Sequence, residues 1–257
     1  MSTRMAPIGD HLRSWRQRRR MSQMDLALDA EISTRHLSCL ETGRAMPSRT
    51  MVLRLAEQLE VPLRERNTWL AAAGFAPAYP ERSLEDPAMR PARAAVEAVL
   101  AAHAPNPALA VDRHWNLISA NASVAPLMAG ADPALLAGPV NVLRLALHPG
   151  GLAPRIGDLG ALKAHFLARL ARQATVSGDP VLAELLRELR DYPAPPGAAE
   201  DPDALALPFR LRVGEAELSF LTTTMVFGTA HEVALSELTV ETFFPMDETT
   251  REALRSL

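Results

Sequence analysis

The sequence predicts an all-α module followed by an α+β domain: a bundle of five helices, then an antiparallel sheet with helices packed on one face. Three observations carry this reading. Residues 22–43 pattern as two short, capped helices with a small residue at their crossing and a glycine stop. Four prolines between Ala76 and Pro91 mark a break in organisation. Beyond it, two short strands, a helical middle and three longer strands follow in order.

In the N-terminal module the first helix is expected from about Ile8 to Arg19. Leu12 and Trp15 face inward, with Arg13, Arg16, Arg18, Arg19 and Arg20 on or near the outer side. Ser22 caps a second helix, Gln23 to Asp29, where Leu26 and Ala27 share one face. A side chain as small as Ala27 lets two short helices cross closely at a steep angle. Ile32 follows a turn, Ser33 caps a third helix, and Leu37 and Leu40 repeat toward the same core. Gly43 supplies the left-handed residue that ends it. The pattern is that of a helix-turn-helix. Its turn holds Glu31 where glycine is commoner, which costs on the order of 1 kcal/mol if the residue is left-handed. Pro47 and Ser48 open a fourth helix with Val52, Leu55, Ala56 and Leu59 at helical spacing. Pro62 stands near the start of a fifth, which carries Leu63, Trp69 and Leu70 and stops at Gly74.

From Ala76 to Pro91 the chain reads as an interdomain linker, followed by a helix from about Ala92 to His103. Strands are expected at Ala108 to Val111 and Trp115 to Ala120, turned by Asp112-Arg113-His114, with Asn121 capping a short helix. Leu162 to Ala174 and Val181 to Arg190 are helical, broken at Gly178-Asp179-Pro180. Tyr192 to Asp203 reads as a loop. The last strands are Leu207 to Val213, Glu217 to Val226 and Val233 to Phe243, with Gly228 to His231 as a turn. The domains so defined are residues 1–77, a linker and connecting helix at 78–104, and 105–257.

Formal net charge is −3, but its distribution is uneven. Met1 to Pro77 holds 12 arginines against 8 acidic residues, which leaves 15 basic and 22 acidic residues for the remainder. A basic N-terminal module on an acidic remainder suits a DNA reader with a separate second domain. No apolar run is long enough to cross a bilayer, and no secretory apolar region stands near the start. The single cysteine, Cys39, cannot form an intramolecular disulfide, so a reducing, cytoplasmic setting is expected. No GxSxG elbow, P-loop, HExxH or cysteine metal spacing occurs, and the seven histidines are scattered. The sequence therefore points away from an enzyme or a metal site.

The segment from Ile8 to Leu59 resembles the XRE family of bacterial and phage repressors. The likeness runs through Ser22-Gln23, Leu26-Ala27, Ile32-Ser33, Leu37, Leu40-Glu41-x-Gly43-Arg44, Pro47-Ser48 and Leu55-Ala56-x-x-Leu59. By that resemblance Thr34, Arg35 and Ser38 or Cys39 face base edges, with Arg35 suited to a bidentate contact with guanine. Gln23 and Arg44 would hold phosphates, with Ser33 and His36 completing the contact set in the exposed first turn. A homodimer on a double-stranded palindromic operator is expected, since one such module usually binds weakly.

Behind this module, PALAVDRHWNLISANASVAPLM, GDPVLAELLRELR and ELSFLTTTMVFGTAHEVALSELTVETFFP resemble the ligand-binding domain of MmyB-like regulators, a PAS-like sensor fold. The widespread members carry an Asp-Trp pair before the central helix and a His-Pro pair opening the late strands. Here those places read Gly160-Ala161 and Leu207-Pro208. The resemblance implies no cofactor beyond a fatty-acid-like or other apolar ligand between sheet and helices. Trp115, Leu117, Phe166, Leu170, Phe220 and Leu238 are candidates to line its cavity. Arg144, His148, Arg169 or Arg172 would meet a carboxylate, and alternate threonines among Thr222, Thr223 and Thr224 would offer hydroxyls. The alternative is a second domain that serves as a protein-interaction or dimerisation module with no ligand.

Overall fold

The computed structural model describes residues 6–197 and 207–256. It divides into two compact units, one reaching to Arg82 and including Thr175–Ser177 and Ala230–Val233, the other made of the remainder.

In the first unit the helices are α1 (Ile8–Arg18), α2 (Gln23–Asp29), α3 (Thr34–Glu41), α4 (Arg49–Gln58) and α5 (Leu63–Ala72). Their ends are local chemistry. Ser22 and Asp25 form a reciprocal capping box, the Ser22 hydroxyl accepting from the Asp25 N–H at 3.1 Å and the Asp25 carboxylate accepting from the Ser22 N–H at 2.8 Å. Ser33 and Ser48 accept from the N–H groups of His36 and Met51 in the same way. Glu31 does adopt the left-handed region, at φ 51°, and Gly43 closes α3 at φ 71°. Leu12, Trp15, Leu26, Ala27, Leu37, Leu40, Leu55 and Trp69 make one buried cluster.

Gly9 explains how closely α1 and α3 approach. A Cβ there would stand 2.7 Å from the carbonyl oxygens of both Leu40 and Glu41, backbone atoms that cannot move aside. Gly9→Ala is therefore expected to cost about 2 kcal/mol through forced separation of the two helices, read as a lowered urea midpoint.

The proline-rich stretch is less free than a linker implies. Ala78 and Tyr79 donate their N–H groups to Asn67 Oδ1, and Asn67 Nδ2 donates back to the Tyr79 carbonyl, which fastens its first part to α5. A 3-10 turn at Pro87–Met89, capped by Asp86, then runs into α6 (Arg90–Ala102).

The second unit is built on a five-stranded sheet. After α6 come β1 (Ala108–Val111), β2 (Leu117–Ala120), α7 (Ala125–Met128), α8 (Pro133–Leu136), α9 (Val142–Leu147), α10 (Leu159–Ser177) and α11 (Pro180–Asp191). Then follow β3 (Phe209–Val213), β4 (Ala216–Val226), α12 (Val233–Ser236), β5 (Thr239–Pro245) and α13 (Glu248–Ser256). The strand order is β2-β1-β5-β4-β3, with every neighbouring pair antiparallel. Alternation along β1 sends Leu109 and Val111 into a cluster with residues of α9, α10 and α11. Ala108 and Ala110 meet Val96 and Leu100 of α6, so at β1 the sheet carries helices on both faces rather than one.

Several elements differ from the sequence expectation. The second strand begins at Leu117 because Trp115 is left-handed, at φ 67°, and closes the hairpin turn. The Asp112 carboxylate holds that turn by accepting from the N–H groups of His114 and Asn116. Asn121 stands at the N-cap of a short 3-10 turn, Ala122–Val124, but its side chain makes no capping hydrogen bond. Its Oδ1 accepts from the Ala108 N–H, and its Nδ2 donates to the carbonyls of Leu100 and Asn106. The stretch expected as strand from Val233 opens with α12, and α13, which packs against β4, has no counterpart in the sequence reading. From residue 198 onward the expected loop lies outside the described residues. At the start of α10, Gly160 has a packing role: a Cβ would fall 2.4 Å from the Gly197 N and the Pro195 O.

Candidate DNA-reading helix and ligand cavity

Ser22, Ser33 and Gly43 fix where α2 and α3 begin and end, so burial of Leu37 and Leu40 decides which side of α3 faces out. That side carries Thr34, Arg35 and His36, all exposed, with Ser38 and Cys39 half-buried beside them. Arg44, just past the glycine stop, is exposed, and Arg35 makes no ion pair among the described residues. The Ser33 hydroxyl is occupied by the His36 N–H.

Behind this face lies a charged network. The Glu41 side chain has 0% exposure and Arg16 only 12%. Arg16 Nε donates to one Glu41 oxygen at 2.6 Å and Nη2 to the other at 2.9 Å, while Gln23 Nε2 donates at 2.8 Å. Burial pushes the Glu41 carboxyl up, but these hydrogen bonds and the charges of Arg16 and Arg13 outweigh it, holding Glu41 below its ordinary value. Gln23 is thus tied to the bundle by one amide hydrogen, and this network leaves its second unused.

The second unit contains a cavity of about 430 Å³. Its wall is apolar over most of its area and is built from the inner faces of the five strands with α7, α9 and α10. Leu109, Leu127, Leu145, Leu152, Leu162, Phe209, Leu211 and Phe243 are among its lining. Polar groups gather on a few elements: His165 and Arg169 lie one turn apart on α10, Thr222 and Thr224 alternate on β4, and Glu241 faces Thr224 across the β4–β5 pair. Arg169 Nη2 donates to Glu241 Oε1 at 2.7 Å and to Thr224 Oγ1 at 3.2 Å. Its guanidinium carbon sits 4.5 Å from the centre of the Trp115 ring, whose Nε1 donates to Gln173 Oε1 at 2.9 Å. Partial burial and the charges of Arg169 and Arg172 lower the His165 pKa against the opposing pull of Glu241.

Trp115, Leu117, Phe166, Arg169 and Thr222, all singled out from sequence, line this cavity. Arg144, His148, Leu170, Phe220 and Leu238 do not. Arg144 is held bidentately by Glu188, at 2.6 and 2.7 Å. His148 Nδ1 accepts from the Gly150 N–H, and its ring meets Tyr192 edge-on. Leu170 is fully buried in the cluster with α11, Phe220 packs against the Phe209 and Phe243 rings, and Leu238 turns to the opposite face with Val96. Arg172 is exposed and outside the lining. The sequence reading missed His165 and Glu241, whereas the alternate threonines Thr222 and Thr224 both line the cavity. The i, i+4 spacing of His165 and Arg169 was a signal for the histidine, but Glu241 needed the strand register.

Residues 92–257 match the family model described as the MmyB-like transcription regulator ligand binding domain. The chain belongs to that family. Residues 7–69 of this MmyB-like regulator match a model of the helix-turn-helix domain, which covers all of α1 to α4 and most of α5. None of the curated proteins matches the chain. A DNA-binding helix-turn-helix domain joined to a ligand-binding domain makes it a transcription regulator, and both families are regulatory rather than enzymatic. Among the described residues, no helix of the MmyB-like regulator is long and apolar enough to cross a membrane.

Proposed function

We propose that the MmyB-like regulator reads a double-stranded operator as a homodimer through the first turn of α3. In its second unit it senses a small, mainly apolar ligand, fatty-acid-like in its chain. Thr34 and Arg35 meet base edges together with Ser38 or Cys39, and Gln23, Ser33, His36 and Arg44 fix register on the phosphates. Binding of the ligand shifts the population between conformations of different operator affinity. The cytoplasm, where the operator resides, is its place of action.

The observation that carries the sensing half is the cavity. A volume of about 430 Å³ with an apolar wall and a few convergent polar groups has the size and chemistry of a small-molecule site. A second domain acting only as an interaction module has no need of such a space, whose formation sacrifices packing contacts.

Native mass spectrometry of the purified regulator tests both parts. Dimers carrying a small-molecule adduct are expected. Leu117→Trp, which pushes a larger ring into the cavity from β2, is expected to lose the adduct and keep the dimer. Monomers, or an adduct retained undiminished by the variant, contradict the corresponding half of the reading.

A further inference from the structure

The polar end of the cavity says what kind of head group it accepts. Arg169 is the one arginine in the lining, and it is already paired with Glu241, whose carboxylate lines the same space. Thr224 donates to both Glu241 oxygens, so the anion is held by two elements, α10 and β4. The charges of Arg169 and Glu241 cancel, and His165, whose pKa is held below its ordinary value, adds little positive charge at pH 7. A ligand carboxylate placed here meets Glu241 as a like charge, while Arg169 has to be shared between two anions.

Hydrogen-bonding capacity nevertheless remains. Arg169 uses only Nη2 in the pairs above, so Nε and Nη1 are available to an acceptor. Glu241 Oε2 receives one hydrogen bond, from Thr224, and Thr222 also lines the cavity. Donors and acceptors stand together over an apolar chamber.

We infer that the cavity takes an apolar molecule whose polar end is uncharged and both donates and accepts hydrogen bonds, as a primary amide or an alcohol does, in preference to a carboxylate. This rests on the reading that the cavity holds an apolar ligand, and the test separates the two. Decanamide and decanoate share a chain and nearly a shape, and differ in charge at pH 7. Titrated into the full-length regulator and followed by calorimetry, decanamide is expected to bind at least about tenfold tighter than decanoate. Glu241→Gln removes the like charge and frees Arg169, so decanoate is expected to gain about tenfold and the preference for decanamide over decanoate to disappear. Decanoate binding the wild-type protein as tightly as decanamide overturns the head-group inference and leaves the apolar site standing. Failure of both probes in the wild-type protein overturns the apolar site itself. The wild-type comparison decides the matter even if Glu241→Gln does not fold.

Discussion

Glu41→Ala is expected to destabilise the helix-turn-helix unit by about 3 kcal/mol, the typical result of removing one member of a buried ion pair. Arg16 would keep its charge with its two carboxylate acceptors gone, and Gln23 would lose its partner as well. Urea denaturation followed by circular dichroism measures the change, and a loss under about 1 kcal/mol would show that the network contributes little. The same group sets a pH dependence. Its pKa is depressed in the folded state, so its contribution is fully present above the unfolded value of about 4.3 and is lost as pH falls through the folded one. Wild-type stability is thus expected to fall more steeply below pH 4.3 than that of Glu41→Gln.

Arg35→Ala is expected to cost about 1–3 kcal/mol of discrimination at one operator base pair, and to leave salt-dependent binding to random DNA nearly unchanged. The side chain is exposed in the first turn of α3, where the Ser33 cap and the buried Leu37 aim it outward. Nothing in the bundle depends on it, so the variant should fold as the wild type does. Binding measured on operator and scrambled duplexes at two salt concentrations separates the outcomes. Equal loss on both duplexes, with a salt slope smaller by about one, would make Arg35 a phosphate contact.

How much could be read beforehand follows from how local each determinant is. Ser22, Ser33, Ser48 and Gly43 act on N–H and C=O groups within a few residues, and the helix ends they set are those observed. Even the left-handed turn at Glu31 was visible as a glycine position filled by another residue. The misses are of another kind. Leu238 and Phe220 look like Leu117 in a strand pattern, but strand order and the helix on the far face decide which of them sees the cavity. Glu241 could be paired with Arg169 only once β5 was placed between β1 and β4. In α13 only Thr250 and Leu254 are buried, too short an apolar pattern to stand out.

The placement of Trp115 gives the protein a built-in optical probe. All three indoles are buried, but Trp15 and Trp69 lie in the first unit's interior, whereas Trp115 also borders the cavity beside a guanidinium. A molecule settling against that ring displaces solvent and alters the charge seen by its excited state. Emission from the two shielded indoles then reports unfolding of the bundle, and the third reports occupancy, without any label attached.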